Sequence, residues 1–166
     1  MRFIKLDGAP FSFRRHEYLR GIYECEHHSI VVEKAAQVGG SVFGIVDTLW
    51  AVDTGRVRTV IYFFPTARDV QDFSQDRVRP MLLDCPRFGD REKGPDNSGY
   101  KQFLDPSDGS VKAALYFRGM KSKVSTSSVP ADQIIIDERD KVSTRDYELA
   151  VKRISFFNDA APPEIY

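Results

Sequence analysis

Short β-branched and aromatic runs, "TVIYFFP" (59–65), "VKAALYFRG" (111–119) and "QIIIDE" (133–138), alternate along this chain with segments whose apolar residues recur at helical spacing. A further run, "SIVVE" (29–33), reads as a short buried strand ahead of them. Strands interleaved with helices have few ways to bury their apolar faces. The pattern predicts an α/β fold with a mostly parallel sheet and helices on both faces. At 166 residues the chain suffices for one domain with a sizeable core and is too short for two ordinary ones.

The helical segments follow from spacing. "RRHEYLRGIYECEHH" (14–28) sets Tyr18, Leu19, Ile22 and Tyr23 at helical intervals, and "VFGIVDTLWAVDTG" (42–55) puts Val42, Ile45, Val46, Leu49 and Trp50 on one side, closed by Gly55. "TARDVQDFSQDRVRPMLLD" (66–84) carries Val70, Phe73, Val78 and Met81 on one face, with Pro80 expected to kink or end it. From Cys85 to Gly109 the density of Pro, Gly, Asp and charge predicts a long surface excursion. The last helix, within "STRDYELAVKRISFFN" (143–158), opens on Ser143 or Thr144 as a cap and aligns Tyr147, Val151, Ile154 and Phe157.

Composition excludes some functions. Lys plus Arg equal Asp plus Glu at 24 each, so no global positive field holds nucleic acid, and any such contact must come from a local patch. No apolar run approaches the roughly 20 residues of a membrane span, and the N-terminus lacks a secretory signal, which points to the cytoplasm. Cys25 and Cys85 have no metal or redox spacing and are expected as free thiols. His27 and His28 lack a matching ligand pair.

Two short segments carry chemistry. A strand running into a glycine turn and then a helix is an anion site, because the first helical N–H groups have no intrahelical acceptor. "KAAQVGGS" (34–41) stands in that context. Against the phosphate loop GxxxxGK[ST], Gly39 and Ser41 match, Gly40 stands where the lysine belongs, and Lys34 replaces the first glycine. Alone it reads equally as a strand-to-helix turn. "QIIIDE" places Asp137 and Glu138 at the C-terminal end of a strand, where ligands bind in such sheets. In a phosphate-loop ATPase the first acid and the loop hydroxyl hold Mg²⁺ and the second acid orients the attacking water, so Ser41, Asp137 and Glu138 would supply these roles.

With "VVEKAAQVGGS", "TVIYFFPTARDVQDFSQDRVRPML" and "PADQIIIDERD" in this order, residues 13 to 157 resemble the large terminase subunits of tailed bacteriophages. That family often uses a deviant loop, K-x-x-x-x-G-x-S, with the basic residue at its start; Lys34, Gly39 and Ser41 fit it, with Gly40 at the free position. Its strand ending in Pro-Thr resembles Pro65 and Thr66, and its Arg-Pro-Met-Leu-like helix end resembles Arg79 to Leu82. The resemblance implies an ASCE-type P-loop NTPase that binds ATP and Mg²⁺. Lys34, Ala35, Ala36, Gln37, Val38, Gly39, Gly40 and Ser41 would form the nucleotide loop, Lys34 and Glu138 would be catalytic, and Ser41 and Asp137 would hold the metal.

The implied activity is ATP hydrolysis that drives double-stranded DNA into a procapsid in the host cytoplasm. A portal protein and a small terminase subunit would be partners, with self-association into a ring. The family's nuclease domain has no room here, so residues 1–166 are expected to be a single N-terminal ATPase domain fragment, ending before the strand that follows the Asp-Glu pair, and weak or inactive by itself. In the family's sheet that strand separates the loop strand from the Asp-Glu strand. Its absence predicts that "PPEIY", another segment or a second chain fills the gap. A helicase-like ATPase acting outside packaging and a non-hydrolysing assembly module on the same fold are the alternatives.

Other residues have two readings each. Arg14, Arg15, His16 or Tyr18 would stack on a base or belong to a helix packing on the core. Arg68, Arg77, Arg79 and Arg118 compete for the role of arginine finger. Arg118, Lys121 and Lys123 in "RGMKSKVSTSS" would touch DNA phosphates or line a solvated loop.

Overall fold

A computed structural model of the chain describes residues 4–6, 8–27, 29–33, 39–89, 97–105, 107–120, 129–154 and 164–165. Two short strands, β1 (Lys5–Leu6) and β2 (Ala9–Pro10), pair antiparallel, and a 3₁₀ turn (Glu17–Leu19) leads into α1 (Arg20–Tyr23). After these come α2 (Gly40–Thr54), β3 (Thr59–Phe64), α3 (Ala67–Phe73), a π-helical turn (Ser74–Val78), α4 (Arg79–Asp84) and α5 (Pro86–Gly89). The remaining elements are β4 (Tyr100–Leu104), β5 (Val111–Gly119), β6 (Gln133–Ile136), a 3₁₀ turn (Arg139–Lys141), α6 (Thr144–Val151) and β7 (Glu164–Ile165).

The main sheet has the order β4-β5-β3-β6-β7, parallel throughout except for the antiparallel β4–β5 pair. Successive side chains on a strand point to opposite faces, and the burial follows that rule. Val60, Tyr62 and Phe64 of β3, with Ala113, Leu115 and Phe117 of β5 and Ile135 of β6, join Ile45, Val46, Leu49 and Val52 of α2 and Val70, Met81 and Leu82 of the α3–α4 arm. Ile61 and Phe63, with Ile134 and Ile136, turn the other way onto Ala150 of α6, Met120 and Ile154. Helices therefore cover both faces, as the sequence pattern predicts.

Several local expectations change. "SIVVE" does not form a strand of its own: Ser29 makes one bridge, residues 30–33 have no ladder, and Val31 is 91% exposed. Beside β6, Glu164 and Ile165 of "PPEIY", one of the segments expected there, pair in parallel with Gln133 and Ile134. The stretch after Cys85 contains α5 and β4. Lys101, 2% exposed, occupies an inward position between half-buried Tyr100 and Gln102 and hides the strand's alternation. Pro80 does not end its helix. It lies in the first turn of α4, directly after the π turn, which re-registers the hydrogen bonds where proline lacks an N–H. Nor is α2 one-sided: Phe43 to Leu49 are all buried, while Val42 and Trp50 are only partly so. The first helix is reduced to residues 17–23, and α6 stops at Val151, with Phe157 outside the described residues.

Thr66 makes the turn out of β3. Its side chain accepts a hydrogen bond from the Asp69 amide at 3.2 Å, and the Asp69 carboxylate accepts from the Thr66 amide and hydroxyl at 3.0 and 2.7 Å, a reciprocal capping box. Gly119 packs against this turn so closely that a Cβ there would sit 2.6 Å from the Ala67 nitrogen. Thr66→Ala should cost about 1 kcal/mol of stability. The check is urea unfolding, where the midpoint should fall with an unchanged slope.

Candidate functional site

The alternation along β6 determines where its acids go. Ile135 faces α2 and Ile136 faces away, so Asp137, whose amide continues the ladder to the Phe63 carbonyl at 3.0 Å, turns back toward α2. There it meets the start of that helix. The Ser41 hydroxyl donates to Asp137 Oδ2 at 2.6 Å, across 96 residues of sequence, and the Glu138 amide donates to Asp137 Oδ1 at 3.0 Å. Asp137 is 8% exposed.

Helix α2 begins on glycine for a backbone reason. Its N-cap, Gly39, has φ 82° and ψ 9°, the left-handed region, and provides no capping side chain. The first amides of the helix lie at the positive end of its dipole, and among the described residues the N-cap adds no side-chain hydrogen bond to them. Gly40 lines the adjoining cleft.

Glu138 also has unusual backbone geometry. Its φ of 52° and ψ of 48° are left-handed, a conformation that costs a non-glycine residue about 1–2 kcal/mol. It turns the chain from β6 into the 3₁₀ turn that follows, and its carboxylate accepts from Lys141 Nζ at 2.9 Å. Glu138, with Asp140 and Asp69 contributing, raises Lys141 above the usual lysine range, so the lysine is cationic throughout neutral pH. Arg139 lies over the Tyr147 ring, 4.3 Å from its centroid, and donates to the Val142 carbonyl at 2.8 Å.

A cleft of about 880 Å³ opens between these groups. Ile30 to Glu33 form one wall and Asp137 to Lys141 the other, with Gly40, Phe43, Gly44, Tyr62 and Tyr147 between them. Volume and lining suit a small ligand with an apolar part and a charged end.

Of the sequence-predicted residues, Gly39, Gly40, Ser41, Asp137 and Glu138 come together at this end of the sheet. Lys34, Ala35, Ala36, Gln37 and Val38 lie outside the described residues, as do His28, Lys121 and Lys123. Arg118 is tied to the Gly99 and Phe117 carbonyls and lies over Tyr116. Arg68 pairs with Asp72, and Arg79 donates to Gln75. Tyr18 is exposed and hydrogen-bonds His16. Sequence reasoning missed Tyr62, Gly44 and Lys141 as cleft residues. For Tyr62 the signal was its even spacing with Val60 and Phe64 on the face that Asp137 also takes.

A glycine-led helix start facing an acid at the end of a parallel strand places the molecule among the P-loop NTPase folds. The chain belongs to the family of the phage terminase large subunit gpA, ATPase domain, whose family model matches residues 8–161. The solved structure of the large terminase from a thermophilic bacteriophage is similar in fold, with a TM-score of 0.65 at 16% identity, over 94% of this chain and 38% of that one. The chain thus spans well under half the length of that protein. No curated protein matches.

Because Glu138 holds a left-handed backbone, Glu138→Asn, which tolerates that region, should leave stability unchanged or raise it by up to about 1 kcal/mol, even with the exposed Lys141 pair lost. Thermal and urea unfolding read this directly. A loss of more than that would show that the backbone there is not strained.

Proposed function

We propose that this domain binds ATP with Mg²⁺ and hydrolyses it to drive double-stranded DNA into a procapsid, as the ATPase of a packaging motor. The observation that carries the reading is the 2.6 Å hydrogen bond from Ser41 to Asp137, in a chain that belongs to a terminase ATPase-domain family.

The donor set fits the cation. Mg²⁺ prefers hard oxygen ligands, keeps several waters, and takes one or two carboxylates together with substrate phosphates instead of an all-protein cage. A hydroxyl and a carboxylate already in contact are such a set, and Ser41 and Asp137 would hold the ion. When bound, Mg²⁺ would neutralise phosphate charge as it develops. The amides at the start of α2 would receive phosphate oxygens, with Gly40 allowing close approach of the backbone. Glu138 would orient the attacking water and accept its proton. Lys141, at 2.9 Å from that carboxylate, would hold it in place. Lys34, with residues 35–38, completes the loop in this reading, as the family's deviant form implies.

The same proposal covers the setting. The motor would work as a ring in the cytoplasm of the infected host, on a portal protein and with a small terminase subunit, and nuclease activity would lie outside this domain.

Glu138→Gln should keep ATP affinity while turnover falls by about 10² or more, because orienting water matters only in the transition state. Asp137→Asn should also weaken Mg²⁺-dependent binding. Titration calorimetry with phosphate-release kinetics tests both, and equal losses of affinity would mean that the roles are misassigned. Double-stranded DNA should stimulate turnover. Stimulation by single strands alone would point to a helicase-like ATPase.

A further inference from the structure

Gln133, Ile135 and Asp137, alternate residues along β6 and its continuation, share one face of the sheet, and each meets α2. Asp137 accepts from Ser41 in the first turn of the helix, and Ile135 packs into the core with Ile45 and Val46. Lower down, Gln133 Nε2 donates to Asp47 Oδ2 at 3.2 Å. This second hydrogen bond lies inside the protein. Gln133 is fully buried, Asp47 is 7% exposed, and among the described residues Gln133 Oε1 has no hydrogen-bond partner.

Stability does not account for such a pair. A buried carboxylate and a buried amide both lose hydration, the amide oxygen regains nothing, and apolar residues of the same shapes would pack at least as well. What the pair supplies is direction. Apolar contacts such as those of Ile135 tolerate a helix that slides, while a hydrogen bond holds over a range of only about 0.5 Å and a narrow angle. The two hydrogen bonds are well separated, by six residues of helix, about 9 Å, and by four residues of strand, about 13 Å. Two such points fix both the height of α2 along β6 and the angle between them.

We propose that Asp47 and Gln133 are positioning residues for the metal site: their buried hydrogen bond sets the register of α2 against β6, so that Ser41 and Asp137 meet at the spacing a divalent cation uses. The inference rests on the reading of Ser41 and Asp137 as the Mg²⁺ site. The upper contact cannot keep that register by itself, because the bond between Ser41 and Asp137 has to adjust when a cation takes both oxygens. The lower pair is remote from the ion and enclosed by the core. Its hydrogen bond is the same with and without the ion.

The test is a Mg²⁺ titration of the binding of a fluorescent ATP analogue, with parallel samples in EDTA. The deciding variant combines Asp47→Leu with Gln133→Met, which replaces both partners by apolar groups of the same shape and leaves neither unpaired. It should melt at or above the parent temperature, yet raise the half-saturating Mg²⁺ concentration by about 10-fold, the low end of what lost support behind a metal ligand costs, with binding in EDTA unchanged. Asp47→Asn, whose amide oxygen still accepts from Gln133, should titrate like the parent. Should the apolar pair not fold, Gln133→Asn decides, since its amide stops one methylene short of Asp47 and should raise the requirement in the same direction. Asp137→Asn is the reference. If it leaves the Mg²⁺ dependence unaltered, the metal-site reading fails and takes this inference with it. If Asp137→Asn raises the requirement but the folded apolar pair titrates like the parent, Asp47 and Gln133 only fill the core and the proposal is overturned. A shift with Asp47→Asn as large as that of the apolar pair would overturn it too, because the hydrogen bond survives that change.

Discussion

Everything at the cleft depends on the contact between the first turn of α2 and the end of β6, and that contact depends on side-chain parity. A parallel strand buried on both faces assigns its residues strictly to alternate sides. With Ile134 and Ile136 committed to the α6 face and Ile135 to the α2 face, Asp137 has one destination, the N-terminal end of α2. A one-residue slip of β6 against β3 would send the carboxylate to the opposite side of the sheet, away from Ser41. The register, Ile135 beside Tyr62 and Ile136 beside Phe63, is thus also a statement about the site. Hydrophobic burial fixes it, and the polar groups inherit their positions.

Much of this was legible in the sequence because the signals were local. The runs at 59–64, 111–119 and 133–136 announce β3, β5 and β6 by composition, and Gly55 closes α2 with a left-handed φ of 76°. The acids at the end of β6 and the hydroxyl after two glycines were visible for the same reason. What escaped was determined by partners far away in the chain. Lys101 is buried in β4, where a strand pattern calls for an apolar residue. The π turn before Pro80 is a solution to a missing N–H that composition does not encode. Tyr62 looked like one more aromatic in a strand, and only the three-dimensional approach of its hydroxyl to Gly44 separates it from Phe63 and Phe64.

The two glycines of the α2 start and the one inside it answer different demands. Gly39 supplies a backbone conformation, Gly40 lines the cleft, and Gly44 yields volume to a phenol from the sheet. A helix loses stability through each, yet α2 is buried from Phe43 to Leu49, and that burial offsets the loss. Sequence variation at Gly39 and Gly44 would accordingly have different consequences: strain at the first, displacement of Tyr62 at the second.

The run at 30–32 shows the opposite case, in which composition states a capacity that the structure does not use. Ile30, Val31 and Val32 have the β-branched character of a buried strand, but a strand exists only where a neighbour offers its N–H and C=O groups. The edge of β6 away from β3 is taken by Glu164 and Ile165, which pair with Gln133 and Ile134. The segment 30–33 is then left without a ladder, forms a wall of the cleft, and exposes Val31 almost fully. Among the described residues, the pairing of β7 with β6 covers Gln133 and Ile134. Among the described residues, the edge next to Asp137 therefore stays open on the side of that wall. That is why the cleft reaches from the apolar residues 30–32 to the charged group at 137–141 without a described strand between them.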